Sequence, residues 1–176
     1  GCRDGLFCFW CSTMKDWDLY EAFNEGNDTY TLGKCMEFVL QCDKFQHWKT
    51  WELQNAIGYA AKYGKILTHF KKANKQLECI GFCTWGFFRR EEIDTRHWHG
   101  DNVYSRMADE PGEVLYFPMF YCEGGAKEVL KFIRNIQKFI YIHYPDIAKA
   151  EGWRDYSNGQ KRKSIMHIVR SDRDAF

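Results

Sequence analysis

The sequence lacks an excess of charge of either sign: 25 Lys and Arg stand against 24 Asp and Glu, a formal charge of +1. That balance excludes a global field able to gather nucleic acid or an anionic membrane, so a charged partner must be met by a local patch. No apolar run approaches the roughly 18 residues that would span a bilayer, and no basic-then-apolar segment opens the chain. The expectation is a soluble, cytoplasmic protein with no membrane span. There is no internal repeat, no low-complexity linker and no His-Glu-x-x-His or comparable metal spacing among the six histidines. Proline is scarce, at three residues, and Pro118 and Pro145 each mark a local feature described below.

What is abundant is aromatic surface, at 18% of residues, enough for a bulky core or a ring-lined groove. Eight cysteines lie at positions 2, 8, 11, 35, 42, 79, 83 and 122. Several sit inside apolar runs, and a chain of 176 residues builds one full core without staples, so free thiols are expected. A zinc site from Cys8-x-x-Cys11 with Cys79-x3-Cys83 is a formal alternative, as is a metal row of His97, His99 and Asp101, but neither spacing is reinforced, and no metal is expected.

Periodicity organises the rest as a single domain over residues 1–176, of which 1–31 form an N-terminal extension of unassigned structure. Apolar residues at Leu32, Cys35, Met36, Val39 and Leu40 predict a short helix, and Trp48, Trp51, Ala56, Ile57, Ala60 and Ala61 a longer one closed by Gly64. Two helices are thus expected before the first strand. Ile66 to Lys71 and Cys79 to Phe88 read as a hairpin joined by the polar 72–76 stretch. Arg89 to Gly112 reads as a long surface connection. Val114 to Tyr121 is the next strand, with Pro118 placing a bulge or an unpaired edge in it. Val129, Leu130, Ile133, Ile136, Phe139 and Ile140 form a helical stripe stopped by Pro145. Ala150 to Tyr156 and Ser164 to Arg170 read as strands about an Asn158-Gly159 turn.

Between the third strand and the last helix stands Cys122-Glu123-Gly124-Gly125-Ala126. A strand that passes through a glycine pair into a helix presents backbone N–H groups at the positive end of the helix dipole, where a phosphate can settle, and Lys127 adds a cation there. The bland alternative is a tight connection and nothing more.

The order helix, helix, strand, strand, strand, glycine loop, helix, strand, strand resembles the GNAT acyltransferase fold, an α+β domain with a mixed, mostly antiparallel sheet flanked by helices. The likeness continues to the toxin-activating lysine acyltransferases that modify RTX protoxins. It lies in Leu32-Gly33, Phe45-Gln46-His47-Trp48, Ile80-Gly81-Phe82-Cys83-Thr84-Trp85, Glu123-Gly124-Gly125-Ala126, Trp153-Arg154-Asp155 and Gly159-Gln160-Lys161. The resemblance implies an acyl donor, acyl-CoA or an acyl carrier protein, whose phosphates meet Glu123, Gly124, Gly125, Ala126 and Lys127 and whose arm lies along Phe117, Met119 and Tyr121. It implies that the sheet opens beside this turn, around Cys83 and Phe117, and that His47 is the base. A histidine near a helix start has its cationic form disfavoured by the dipole, which would suit it to accept a proton.

The family's second catalytic group, an aspartate on the strand before the turn, has its place at or beside Tyr116, and Val114 to Tyr121 carries no acid. Tyr116, Glu113 or Glu123 would have to substitute, or transfer would rest on positioning within a ternary complex. The acceptor is an amine, most simply a protein lysine. Lys161-Arg162-Lys163 with Arg154, Arg170 and Arg173 leaves open a phage-type GNAT enzyme that modifies DNA bases, and the missing acid leaves open a binding module that kept the fold and lost the chemistry.

Overall fold

The computed structural model describes residues 19–21, 29–74, 76–95, 112–155 and 160–168. Six strands form one sheet in the order β1-β2-β3-β4-β5-β6, where β1 is Leu19–Glu21, β2 Ile66–Ala73, β3 Gln76–Phe88, β4 Val114–Cys122, β5 Lys149–Asp155 and β6 Lys161–His167. Every neighbouring pair is antiparallel except β4 with β5, which run parallel. This is the α+β, mostly antiparallel sheet flanked by helices that the element order predicts.

The sheet is covered on both faces. On one side lie α1 (Thr29–Gln41), the 3-10 turn Asp43–Phe45, α2 (Thr50–Leu53), a π segment (Gln54–Gly58), α3 (Tyr59–Lys62) and α4 (Arg90–Thr95). Cys35, Phe38, Val39 and Cys42, spaced to lie on one face of α1 and its end, pack with Phe45, Ile57, Phe70, Phe82, Phe88 and Tyr116. On the other side α5 (Gly125–His143) buries Phe132, Ile136, Phe139 and Ile140 against Leu67, Cys83, Trp85, Leu115 and Phe117. α5 is thus the crossover between the parallel strands β4 and β5, the connection that parallel pairing demands.

Several boundaries differ from the sequence reading for local reasons. A three-residue strand, β1, precedes the helices, too short to leave a periodic signature. β2 and β3 continue through the polar stretch to Ala73 and Gln76, leaving a tight turn with Asn74 at φ 48° in place of a five-residue connection. Solvated Lys71, Lys72 and Glu78 are compatible with a hairpin tip, where both faces meet water. The expected Trp48–Tyr63 helix starts at Thr50 and widens into the π segment where the Gln54 side chain lies against Gly58. The supposed surface connection after Arg89 begins with α4; the remainder, with His97, His99 and Asp101, lies outside the described residues. β6 starts three residues earlier than expected, at Lys161, and Ile168 already lies beyond it, whereas Tyr156 and the Asn158-Gly159 turn lie outside the described residues.

Cys35, Cys42, Cys79, Cys83 and Cys122 are free thiols. Cys79 and Cys83 do not make a knuckle: Phe70 pairs with Cys79 and His69 with Gly81, so Ile80 is an extra residue that reverses the alternation of β3. Cys79 consequently faces the α1 side and Cys83 the α5 side, with the sheet between them.

Candidate active site

Three features converge at the carboxyl end of β4. The first is the seam with β5. The parallel register holds only at Tyr116 with Glu151 and Phe117 with Gly152, after which β4 runs on to Cys122 paired with β3 alone and β5 to Asp155 paired with β6 alone. The sheet therefore opens between β4 and β5. The expected opening beside Cys83 is not there, because β3 stays paired to β4 from Gly81–Cys122 down to Phe88–Val114. A gap at the carboxyl ends of parallel strands is where open sheets with crossover helices bind ligands.

The second is a bulge. Thr84 pairs with Met119 and Gly86 with Tyr116, so Phe117 and Pro118 together oppose Trp85. Pro118 has no N–H to give the ladder, which is the reason the sequence placed an irregularity here. The bulge reverses the alternation, so Met119 and Tyr121 join Tyr116 on the α1 face, whereas Phe117, Phe120 and Cys122 face α5.

The third is the glycine turn. Gly124 (φ 89°) and Gly125 (φ 78°) are both left-handed, and Gly124, at the N-cap of α5, has no side chain of its own to cap the helix. Two consecutive left-handed residues are open to glycine at little cost and to other residues only with strain. The Glu123 N–H donates to the Ile80 carbonyl at 2.8 Å, tying the turn to β3. Glu123, Gly124, Gly125, Ala126 and Lys127 are all exposed.

Around this turn the structure assembles side chains far apart in sequence. His69 of β2, wholly buried, places Nε2 3.1 Å from Glu128 Oε2 in the first turn of α5. That hydrogen bond holds the Glu128 carboxyl below its ordinary range, with the Lys131 and Lys71 charges acting in the same direction. Burial, with Glu128 and Glu123 nearby, pushes the Cys122 thiol up to about 11, so Cys122 is a thiol and not a nucleophilic thiolate. Tyr121, bonded to Cys42 and half-buried, is pushed up to about 12 and keeps its proton.

Tyr121 also brings the His47 segment to this end of the sheet. Phe45 meets it edge-on at 5.3 Å, and Lys44 Nζ lies 5.2 Å from its ring centroid. His47 itself is exposed, in the turn ahead of α2, whose entrance is occupied by Glu52 accepting the Lys49 N–H at 2.6 Å. It stands three residues before the helix, ahead of the N-cap Lys49.

The other sequence candidates separate. Tyr116 is 1% exposed, at the base of the opening, edge-on to Phe88 in the core. Glu113 lies at the opposite end of β4 from the turn, where it accepts the Arg90 N–H at 3.1 Å and starts α4. Phe117 is buried against α5, so only its backbone faces the seam. Two groups that sequence reasoning passed over are His69, visible only as a histidine in an apolar strand, and Glu151. The latter supplies an acid in register with Tyr116 from the neighbouring strand. It is 4% exposed and bound by Arg90 through Nη1–Oε2 at 2.7 Å and Nη2–Oε1 at 2.9 Å. Its carboxyl is held low by that bidentate pair and is an anchor, not a free base.

The chain matches no family model and no curated protein sequence.

Proposed function

We propose that the chain is a GNAT-type N-acyltransferase, taking an acyl group from acyl-CoA or an acyl carrier protein to an amine, most simply a protein lysine. The observation that carries the reading is the loss of β4–β5 pairing after Phe117 and Gly152, immediately below a left-handed glycine pair at a helix start. A pantetheine arm has amides spaced along an extended chain. Laid between the strands, it would satisfy N–H and C=O groups of β4 that lack a strand partner there, while the pyrophosphate rests on the Gly124 to Ala126 N–H groups.

Chemically, the amine attacks the thioester carbonyl, the tetrahedral oxyanion collapses, and the thiolate leaves. The amine loses one proton and the thiolate gains one. His47 is the base in this reading, and Tyr121, which keeps its proton at neutral pH, is a donor at the same end of the sheet. With no acid on β4, positioning in the ternary complex supplies the rest.

The DNA-modifying alternative needs the basic last hairpin and the segment after Arg89 on one face. α4 and β6 do meet, through Lys163 Nζ to Asp94 at 3.0 Å, but Arg90 and Lys163 are engaged with Glu151 and Asp94, which lowers the charge available to a phosphate backbone. Thermal unfolding with acetyl-CoA, longer acyl-CoAs and duplex oligonucleotide separates the readings, since a ligand bound to the native state raises Tm. A rise with a CoA species alone is expected. A rise with the duplex alone transfers the case to the alternative, and no response to any CoA removes the CoA-donor version.

A further inference from the structure

We infer that buried His69 and part-buried Glu128 form a positioning pair that sets the shape of the glycine turn, a role that rests on the donor-site reading above. His69 stands on β2, inside the edge strand, in register with Gly81 of β3 and Leu19 of β1. Its ring lies flat on Phe132 of α5 at 5.0 Å and 14°. With the 3.1 Å bond to Glu128, it is held on its face and at its edge by successive turns of one helix. Glu128 then reaches Gly124: a methyl group built there would come within 2.8 Å of Glu128 Cγ. The contact runs from the sheet through the His69 imidazole to the Glu128 carboxylate, and from its methylene stem to the backbone that would receive the phosphate.

The same helix face also touches the opening. Phe120, on the stretch of β4 that β5 no longer pairs, stacks on Phe132 at 5.2 Å and 26°. His69, Phe132 and Phe120 thus form a continuous row beneath the site, and Glu128 is its branch to the turn.

This arrangement gives geometry and charge opposite effects on an anionic donor. The Glu128 stem fixes the turn, but its carboxylate adds negative charge beside it, offset by the His69, Lys131 and Lys71 neighbours. An arrangement that retains a carboxylate next to a phosphate cradle is explained by what the carboxylate holds in place.

The two effects separate by substitution in the full chain, with coenzyme A as the calorimetric probe. Glu128→Gln keeps the contact to His69 and loses the charge, so it should bind coenzyme A at least as tightly as the parent. Glu128→Ala and His69→Phe lose the contact and should bind about fivefold more weakly, the equivalent of one hydrogen bond. A structural pair with no bearing on the turn would lower Tm in these variants and leave the dissociation constant unchanged, which overturns the proposal. So does a Gln variant as weak as the Ala variant.

Nuclear magnetic resonance of the ligand-free chain supplies an independent readout. The Gly124 and Gly125 amide signals should move in Glu128→Ala and His69→Phe and stay near their parent positions in Glu128→Gln. Unmoved glycine signals in a folded Ala variant contradict the positioning role. If the parent itself fails to bind coenzyme A, the donor reading falls while these signals still decide the pair. Should His69→Phe not fold, Glu128→Ala, at a part-exposed helical position, carries the same test.

Discussion

β4 has a neighbour on each side and treats them differently. Toward β3 it is registered through seven residue pairs, interrupted only by the Phe117-Pro118 bulge, whereas toward β5 it is registered through two. The first seam is antiparallel and sealed on both faces by rings. The second is parallel, with the part-buried Arg90–Glu151 ion pair at its base, and open above. The same strand thus serves as core on one edge and as the wall of a site on the other. Its residues divide accordingly, Leu115 and Tyr116 at 2% and 1% exposure and Phe120 at 36%.

The comparison breaks most severely at the paired seam. Trp85, opposite the bulge, packs edge-on against Phe139 and Tyr144 at 5.4 Å each, with Lys65 Nζ 4.0 Å from its ring centroid. Trp85→Ala should lose about 3–5 kcal/mol in urea denaturation, the cost of an emptied aromatic core site.

At the base of the open seam, Arg90→Ala strips the main partner from buried Glu151. Arg90 is 42% exposed, and Lys149 and Lys163 lie 3.9 and 3.7 Å from the same carboxylate, so the loss should be smaller, about 2 kcal/mol at neutral pH. The sign with pH is fixed. The folded Glu151 carboxyl lies below its ordinary range, so its stabilisation is fully present above that range and disappears as the pH falls through the lowered value. The gap between parent and Arg90→Ala should therefore narrow in acid, measured as urea midpoints from pH 7 to pH 3.

The smallest change sharpens the contrast most. A methyl group on Gly125 meets nothing within 4 Å, so Gly125→Ala costs only its left-handed backbone, about 1 kcal/mol. Since that strain falls on the turn and not on either seam, coenzyme A binding should weaken by more than the modest fall in Tm would suggest.

Much of this architecture was legible in the chain because it is local. The Val129 to Ile140 stripe, the Gly124-Gly125 pair and Pro118 each report on a span shorter than one element, and each marks the helix, turn and bulge found there. α4 was missed because six residues in a charged run, Arg90 to Thr95, expose too few turns for a period to emerge. The π segment and the extra Ile80 were missed because single-residue insertions leave composition unchanged. The site was legible only in part. The glycine turn is contiguous, but His69 and Glu128 are 59 residues apart and Arg90 and Glu151 are 61 apart, and only the packed sheet brings them together. A polar side chain at an inward strand position, such as His69 beside Leu67, is the signal that a partner must exist; it does not say which.

The open seam is tested most directly by amide hydrogen exchange of the full chain with and without saturating acetyl-CoA. If the donor lies between β4 and β5, protection should rise at Met119 to Cys122 and at Gly124 to Ala126, and stay unchanged along the β3 residues that already pair with β4. Saturable binding that protects neither stretch would contradict the account.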